Sequence, residues 1–124
     1  MSNELTISIS LPLPPRELSP NARCHWAVKS RATKSAKEIA FYEAKKAGIT
    51  AKTHSWDKAF LQPIFTFSVN RKRDLDNLLA SMKAQIDGIV AAGLMVNDCG
   101  ISPLPSKIVI GKKCGVVLEF TKME

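Results

Sequence analysis

The stretch RKRDLDNLLASMK, residues 71–83, sets Arg71, Lys72 and Arg73 directly against Asp74 and Asp76. Two readings of it are open. The charges can neutralise one another on an ordinary surface, or they can form a site that holds a polyanion and a divalent metal together. Upstream lies FLQPIFTFSV, residues 60–69, which reads as a strand with Phe65, Phe67 and Val69 on one face. Downstream, Leu75, Leu79, Met82, Ile86, Ile89 and Gly93 follow one another at alternating four and three. That stripe predicts one amphipathic helix running to a glycine stop at Gly93. The charged stretch is therefore expected at a strand-to-helix junction.

Further outward the pattern continues. Leu5, Ile7, Ile9, Leu11 and Leu13 alternate with small polar residues and predict a half-buried strand over 5–13. PLPPRELSPN then imposes an irregular, extended loop. Ala32, Ala36, Ile39, Ala40, Ala44 and Ala47 predict a first helix over 30–47 with Gly48 as its C-terminal cap. Lys34, Lys37, Lys45 and Lys46 make much of its solvent side basic. KIVIGKKCGVVLEFT predicts two strands around a Gly-Lys-Lys turn. The expected fold class is α/β (α+β): one domain over 1–124, with a mixed sheet of about four strands and two main helices in the order β-α-β-α-β-β.

The chain has 124 residues, enough to bury a real core. Eighteen Lys and Arg against eleven Asp and Glu give a net charge of +7. Such a surface attracts polyanions through counterion release. Cys24, Cys99 and Cys114 are too few and too scattered for a disulfide framework. The N-terminal MSNELTISIS has neither a basic n-region nor a long apolar core, and no segment approaches a membrane span. A cytoplasmic protein with no membrane partner is expected.

The carboxylates carry the chemistry. On an extended chain Asp74 and Asp76 point to one side, and on a starting helix one of them caps it. Either arrangement leaves a carboxylate exposed, and oxygen donors of this kind suit Mg²⁺ or Mn²⁺. Asp98, in GLMVNDCG after the second helix, is a third candidate where the chain turns back. On a continuous helix Lys83 would lie within about 20° of Asp76 but about 10.5 Å further along the axis. It can approach the metal, or it can pair with Asp87 four residues on. SPNARCHW places Asn21, Arg23, His25 and Trp26 in one loop, where they can contact phosphates or stack on bases. Trp26 can equally cover the core. His25 beside Cys24 lacks further zinc ligands at the required spacing.

RDLDNL followed some twenty residues later by LMVND, with the proline-rich strand end and the Asn/Arg/His loop before them, resembles the RusA family of Holliday junction resolvases of bacteria and phages. The resemblance spans nearly the whole chain. It implies a Mg²⁺- or Mn²⁺-dependent endonuclease that binds four-way branched DNA as a homodimer and nicks two opposed strands symmetrically. By the same resemblance Asp74, Asp76 and Asp98 match the catalytic, metal-binding aspartates, Asn77 the motif asparagine and Arg73 the preceding basic residue. Lys83 matches the catalytic lysine, three residues later than in the best-known members. Asn97 stands where the family often has a further Asp.

Joined together, these features assign Arg71, Lys72, Arg73, Asn77, Asn21, Arg23, His25 and Lys34 to DNA, and Asp74, Asp76, Asp98 and Lys83 to catalysis. A junction-binding protein without catalysis, favoured by the late lysine and by Asn97, and a nuclease acting on other branched DNA remain alternatives.

Overall fold

A strand at the centre of the sheet organises the chain. In the computed structural model, which describes residues 5–123, strand β2 spans Ala59–Phe67. Residues 1–4 and 124 of the single domain expected over 1–124, including the start of MSNELTISIS, lie outside the described residues. Ala59, Leu61, Pro63 and Phe65 of β2 are buried at every second position. That alternation is what a strand with one face on a core demands.

One edge of β2 pairs antiparallel with β5, Gly115–Lys122, in a register that sets Leu61 against Phe120 and Phe65 against Val116. On its far side β5 pairs antiparallel with β1, Thr6–Leu11, setting Ile9 against Leu118. The other edge of β2 is shared by two short parallel partners. β3, Ile101–Pro103, covers its start, and β4, Lys107–Ile110, covers its end.

Pro63 explains the division. The Leu61 carbonyl accepts from Leu104 on this edge at 2.7 Å, and residue 63 faces the same edge by the two-residue alternation. Having no N–H, Pro63 has nothing to donate there. The Gln62 amide fills the gap, donating to the carbonyls of Pro63 at 3.1 Å and Pro105 at 2.7 Å.

The fold is thus the expected α+β arrangement, with a five-stranded mixed sheet and helices packed against it. Strand β3 was not anticipated, because three residues are too few to carry a period. Val69 lies beyond the end of β2 and is exposed rather than on its apolar face.

Helix α1 spans Trp26–Lys46, beginning four residues before the expected Ser30. Its cap is His25, whose Nδ1 accepts from the Ala27 amide at 3.1 Å. A histidine cap lies outside the usual Ser/Thr/Asp/Asn set, so the boundary was hidden. The other end is as expected. Gly48 adopts φ 90°, Gly48 N–H donates to Lys45 O at 3.0 Å, and Ile49 N–H donates to Ala44 O at 3.1 Å. This is a Schellman motif, in which a left-handed glycine satisfies the last carbonyls.

The single helix expected from Leu75 to Gly93 is two helices. α2 covers Leu75–Ala80 and α3 covers Lys83–Ala92, ending at Gly93 with φ 116°. The hinge is local chemistry. Ser81 Oγ donates to the Asn77 carbonyl at 2.8 Å, and the Met82 amide donates to Leu79 O three residues back. Back-bonding serines bend helices, and here the fully buried Met82 side chain rewards the bend.

α3 crosses α1 closely because Gly88 faces the Lys37 carbonyl and the Ala40 methyl. A Cβ at Gly88 would collide with that backbone. Gly88→Ala is therefore expected to destabilise the fold by about 1–3 kcal/mol. Urea unfolding should show a lower midpoint at unchanged slope.

Candidate functional site

After Phe67 the chain leaves the sheet and runs through residues 68–73 to Asp74. Arg73 is anchored. Its guanidinium lies 3.7 Å from the Phe67 ring centroid, and Nη1 donates to the Arg71 carbonyl at 3.1 Å. The contact is a cation–π pair that leaves Arg71 and Lys72 projecting as exposed cations. Among the described residues no ion pair joins Arg71, Lys72 or Arg73 to Asp74 or Asp76. The charges of the motif stand side by side without direct neutralisation.

Asp74 is the N-cap of α2. Its Oδ1 accepts from the amides of Asp76 at 3.0 Å and Asn77 at 3.3 Å, which leaves Oδ2 for another partner. Asp76 sits exposed in the first turn, where a negative charge is favoured by the helix dipole. Asp74, Asn77 and Ser81 line a groove of about 550 Å³ with Arg71, Lys72 and Arg73, joined by Leu13, Arg16 and Ser19 of the proline-rich loop, whereas Asp76 is not among its lining residues.

Asp98 lies on a different element. It opens a 3₁₀ turn, Asp98–Gly100, capped by Asn97, whose Oδ1 accepts from the Cys99 amide at 3.1 Å. Asn97 therefore has a structural role that an amide performs as well as a carboxylate. The break between α2 and α3 decides the position of Lys83. As first residue of α3 its Nζ donates to Asp98 Oδ2 at 2.9 Å and to Asp87 Oδ1 at 2.7 Å. The rotation and rise estimated for a continuous helix no longer apply. Lys83 makes both the Asp87 contact and a link to the candidate Asp98.

A cation at a helix N-terminus is unfavourable, and the two carboxylates offset it. Hydrogen bonds to Asp87 and then Asp98 hold the Lys83 pKa above 10.5. The bond from Lys83 holds Asp98 below 3.8. The group is well exposed, so its value is positional more than stabilising.

The three aspartates do not close into one cage. Among the described residues no three His, Cys, Asp or Glu side chains gather as metal ligands. The donor chemistry at Asp74 and Asp76 nonetheless fits Mg²⁺ or Mn²⁺, which keep several waters and need one or two carboxylates. A cation reaching Asp98 has to compete with Lys83.

The remaining candidates are distributed along neighbouring surfaces. Asn21 and Arg23 line a second groove with Arg16 and Ser19, residues that also line the first. His25 caps α1, and Lys34 lies on the exposed side of α1, away from the aspartates' groove. Ser81 lines both the first groove and a cleft of about 320 Å³ bordered by Lys83, Asp87, Lys29 and Thr33. Arg16, Ser81 and Lys29 escaped the sequence analysis. Arg16 could have been suspected as a lone cation in the proline-rich loop, whereas nothing local marks Ser81.

Among the described residues no helix is long and apolar enough to cross a membrane, and Cys24, Cys99 and Cys114 are free and exposed.

No protein-family model matches the chain. A Xylella fastidiosa (strain Temecula1) protein described as an uncharacterized protein is 36% identical over 92 residues, covering 68% of this chain and 56% of the relative. The chain thus spans a little over half the length of that relative.

Two outcomes test the site's construction. Asp74→Asn should leave stability nearly unchanged, because Asn caps as well as Asp, while Asp74→Ala should cost about 1 kcal/mol in thermal or urea unfolding. Asp98 should titrate below 3.8 by carboxyl-carbon NMR, moving upward in Lys83→Met. The sign follows from linkage. The Asp98 contribution is present above 3.8 and is lost as pH falls through its lower folded value. The Lys83 contribution is present below 10.5 and is lost as pH rises through its higher one.

Proposed function

We propose that this chain is a metal-dependent, structure-specific endodeoxyribonuclease that resolves four-way DNA junctions as a homodimer, by paired symmetric nicks. The observation that carries the reading is the junction after β2, where exposed Arg71 and Lys72 line a basic groove with Asp74, Asp76 stands exposed in the adjoining helical turn, and among the described residues no ion pair joins these charges. A self-neutralising surface would pair these charges. The resemblance of RDLDNL and LMVND to the RusA family supplies the substrate class.

In this reading Arg71 and Lys72 take the phosphodiester backbone, and Arg73, fixed on Phe67, holds their loop in place. Asp74 through Oδ2, Asp76 and, after release from Lys83, Asp98 would hold the Mg²⁺ or Mn²⁺. A divalent ion held there supplies charge neutralisation on the scissile phosphate and eases ionisation of the attacking water. Asn77 and Asp74 line the groove that the scissile strand would occupy. Lys83 Nζ offsets negative charge developing on the phosphate or leaving oxygen. Two-fold symmetry of a dimer would set one such site at each of two opposed strands.

The Lys83–Asp98 ion pair favours a second reading, a junction-binding protein that does not cut. A labelled four-way junction with a mobile core, incubated with and without Mg²⁺ or Mn²⁺, separates the two. Paired nicks that require the metal and fall roughly 100-fold or more in Asp76→Asn are expected. Asp74→Asn should do the same at unchanged stability. Tight metal-independent binding with no nicks would leave only the binding reading. Equal cutting of flaps or single strands would remove the junction specificity.

A further inference from the structure

Helix α1 is longer than the core needs. Ala36, Ala40 and Ala44 form its buried stripe. Continued toward the N-terminus in steps of three, four and three, the same face passes through Thr33, Lys29 and Trp26. These three are exposed, and Lys29 and Thr33 border a cleft with Leu18 and Pro20, so the inward face of the first two turns is covered only in part.

The side chains there are not those of an uncovered apolar face. Trp26 is 74% exposed, its ring 5.6 Å from that of His25, and it lines a shallow groove of about 560 Å³ with Lys29, Ser30, Thr33, Lys34 and Lys37. Among the described residues none of these lysines has an acidic partner. Lys29 and Thr33 also line the cleft of Lys83, which shares Ser81 with the groove of Arg71 and Asp74. An exposed indole beside unpaired cations thus lies next to the cleft of Lys83, which in turn adjoins the groove of the candidate site.

Resting on the nuclease reading, we infer that the first three turns of α1 form a second nucleic-acid subsite. There the Trp26 indole stacks on a base face left unstacked at the branch point, and Lys29, Lys34 and Lys37 take the adjacent phosphates. A stacking platform accepts any base, since every base has a π-face, and the ammonium groups add salt-dependent affinity. Paired duplex bases have no free face to offer, so the subsite discriminates branched from continuous DNA.

The chain has two tryptophans, and the other, Trp56, is 2% exposed in the core. Trp26 is therefore a built-in reporter. Full-length protein in metal-free buffer is titrated, at matched low salt, with a four-way junction, a duplex of the same sequence, and phosphatidylserine vesicles. The junction should quench and shift the indole emission, the duplex much less. Trp26→Ala should abolish that signal and weaken junction binding on the order of tenfold, with Trp26→Phe retaining most of the affinity. Lys34→Gln and Lys37→Gln should each lower the salt slope of binding by about 0.9 or less.

Junction binding at full affinity with unchanged emission would overturn the subsite while leaving the nuclease reading intact. Equal quenching by the duplex would overturn its specificity for the unstacked faces of a branch point. A response to vesicles alone would make the patch a membrane-facing one. No junction binding by the unmodified protein would overturn the proposed function together with the subsite.

Discussion

Everything in this fold depends on β2 being held along both edges. β5 grips one edge along nearly its whole length, and β3 and β4 divide the other at Pro63. A strand so fixed can release its chain at one place and in one direction only. The loop after Phe67 inherits that direction, and Arg73 extends the constraint by resting on the Phe67 ring. The cap at Asp74 then begins α2 within a few residues of the sheet. Charged groups on so short a tether keep their relative positions, which is what recognition of a rigid polyanion requires.

The second constraint is the bend at Ser81 and Met82. A straight helix would place Lys83 one step further along the face of Asp76. The bend instead makes Lys83 the first residue of α3 and turns it toward Asp98, which arrives from the far end of that helix. Two carboxylates and one ammonium thereby join α3 to the turn that precedes β3. Exposed pairs of this kind contribute little to folding. Their effect is to define where Asp98 rests when no cation competes for it. Asn97 serves the same turn by capping it, so its departure from the expected acid has a local structural reason.

Much of the fold was legible because its signals are local. The alternation in β2 and β5 and the alanine stripe of α1 are read directly from periodicity. The glycines after α1 and α3 mark their ends because left-handed backbone favours glycine. What escaped was carried by single hydrogen bonds. The His25 imidazole opens α1 early, and the Ser81 hydroxyl divides a helix whose apolar stripe is unbroken in sequence. Periodicity reports which face is apolar and is blind to such bonds. Strand β3 escaped for a different reason, being too short to show any period.

The site divides the same way. Sequence alone determined which residues carry charge and that Asp74 and Asp76 stand at a strand-to-helix junction, because both follow from composition and local propensity. Only the tertiary structure decided that Arg73 faces Phe67 rather than the carboxylates, and that Lys83 reaches Asp98. It also decided that the Trp26 indole stands exposed at the start of α1. The Lys83–Asp98 contact joins separate elements, and the Arg73–Phe67 contact depends on the path by which the loop leaves the sheet, so neither geometry is encoded by a local pattern.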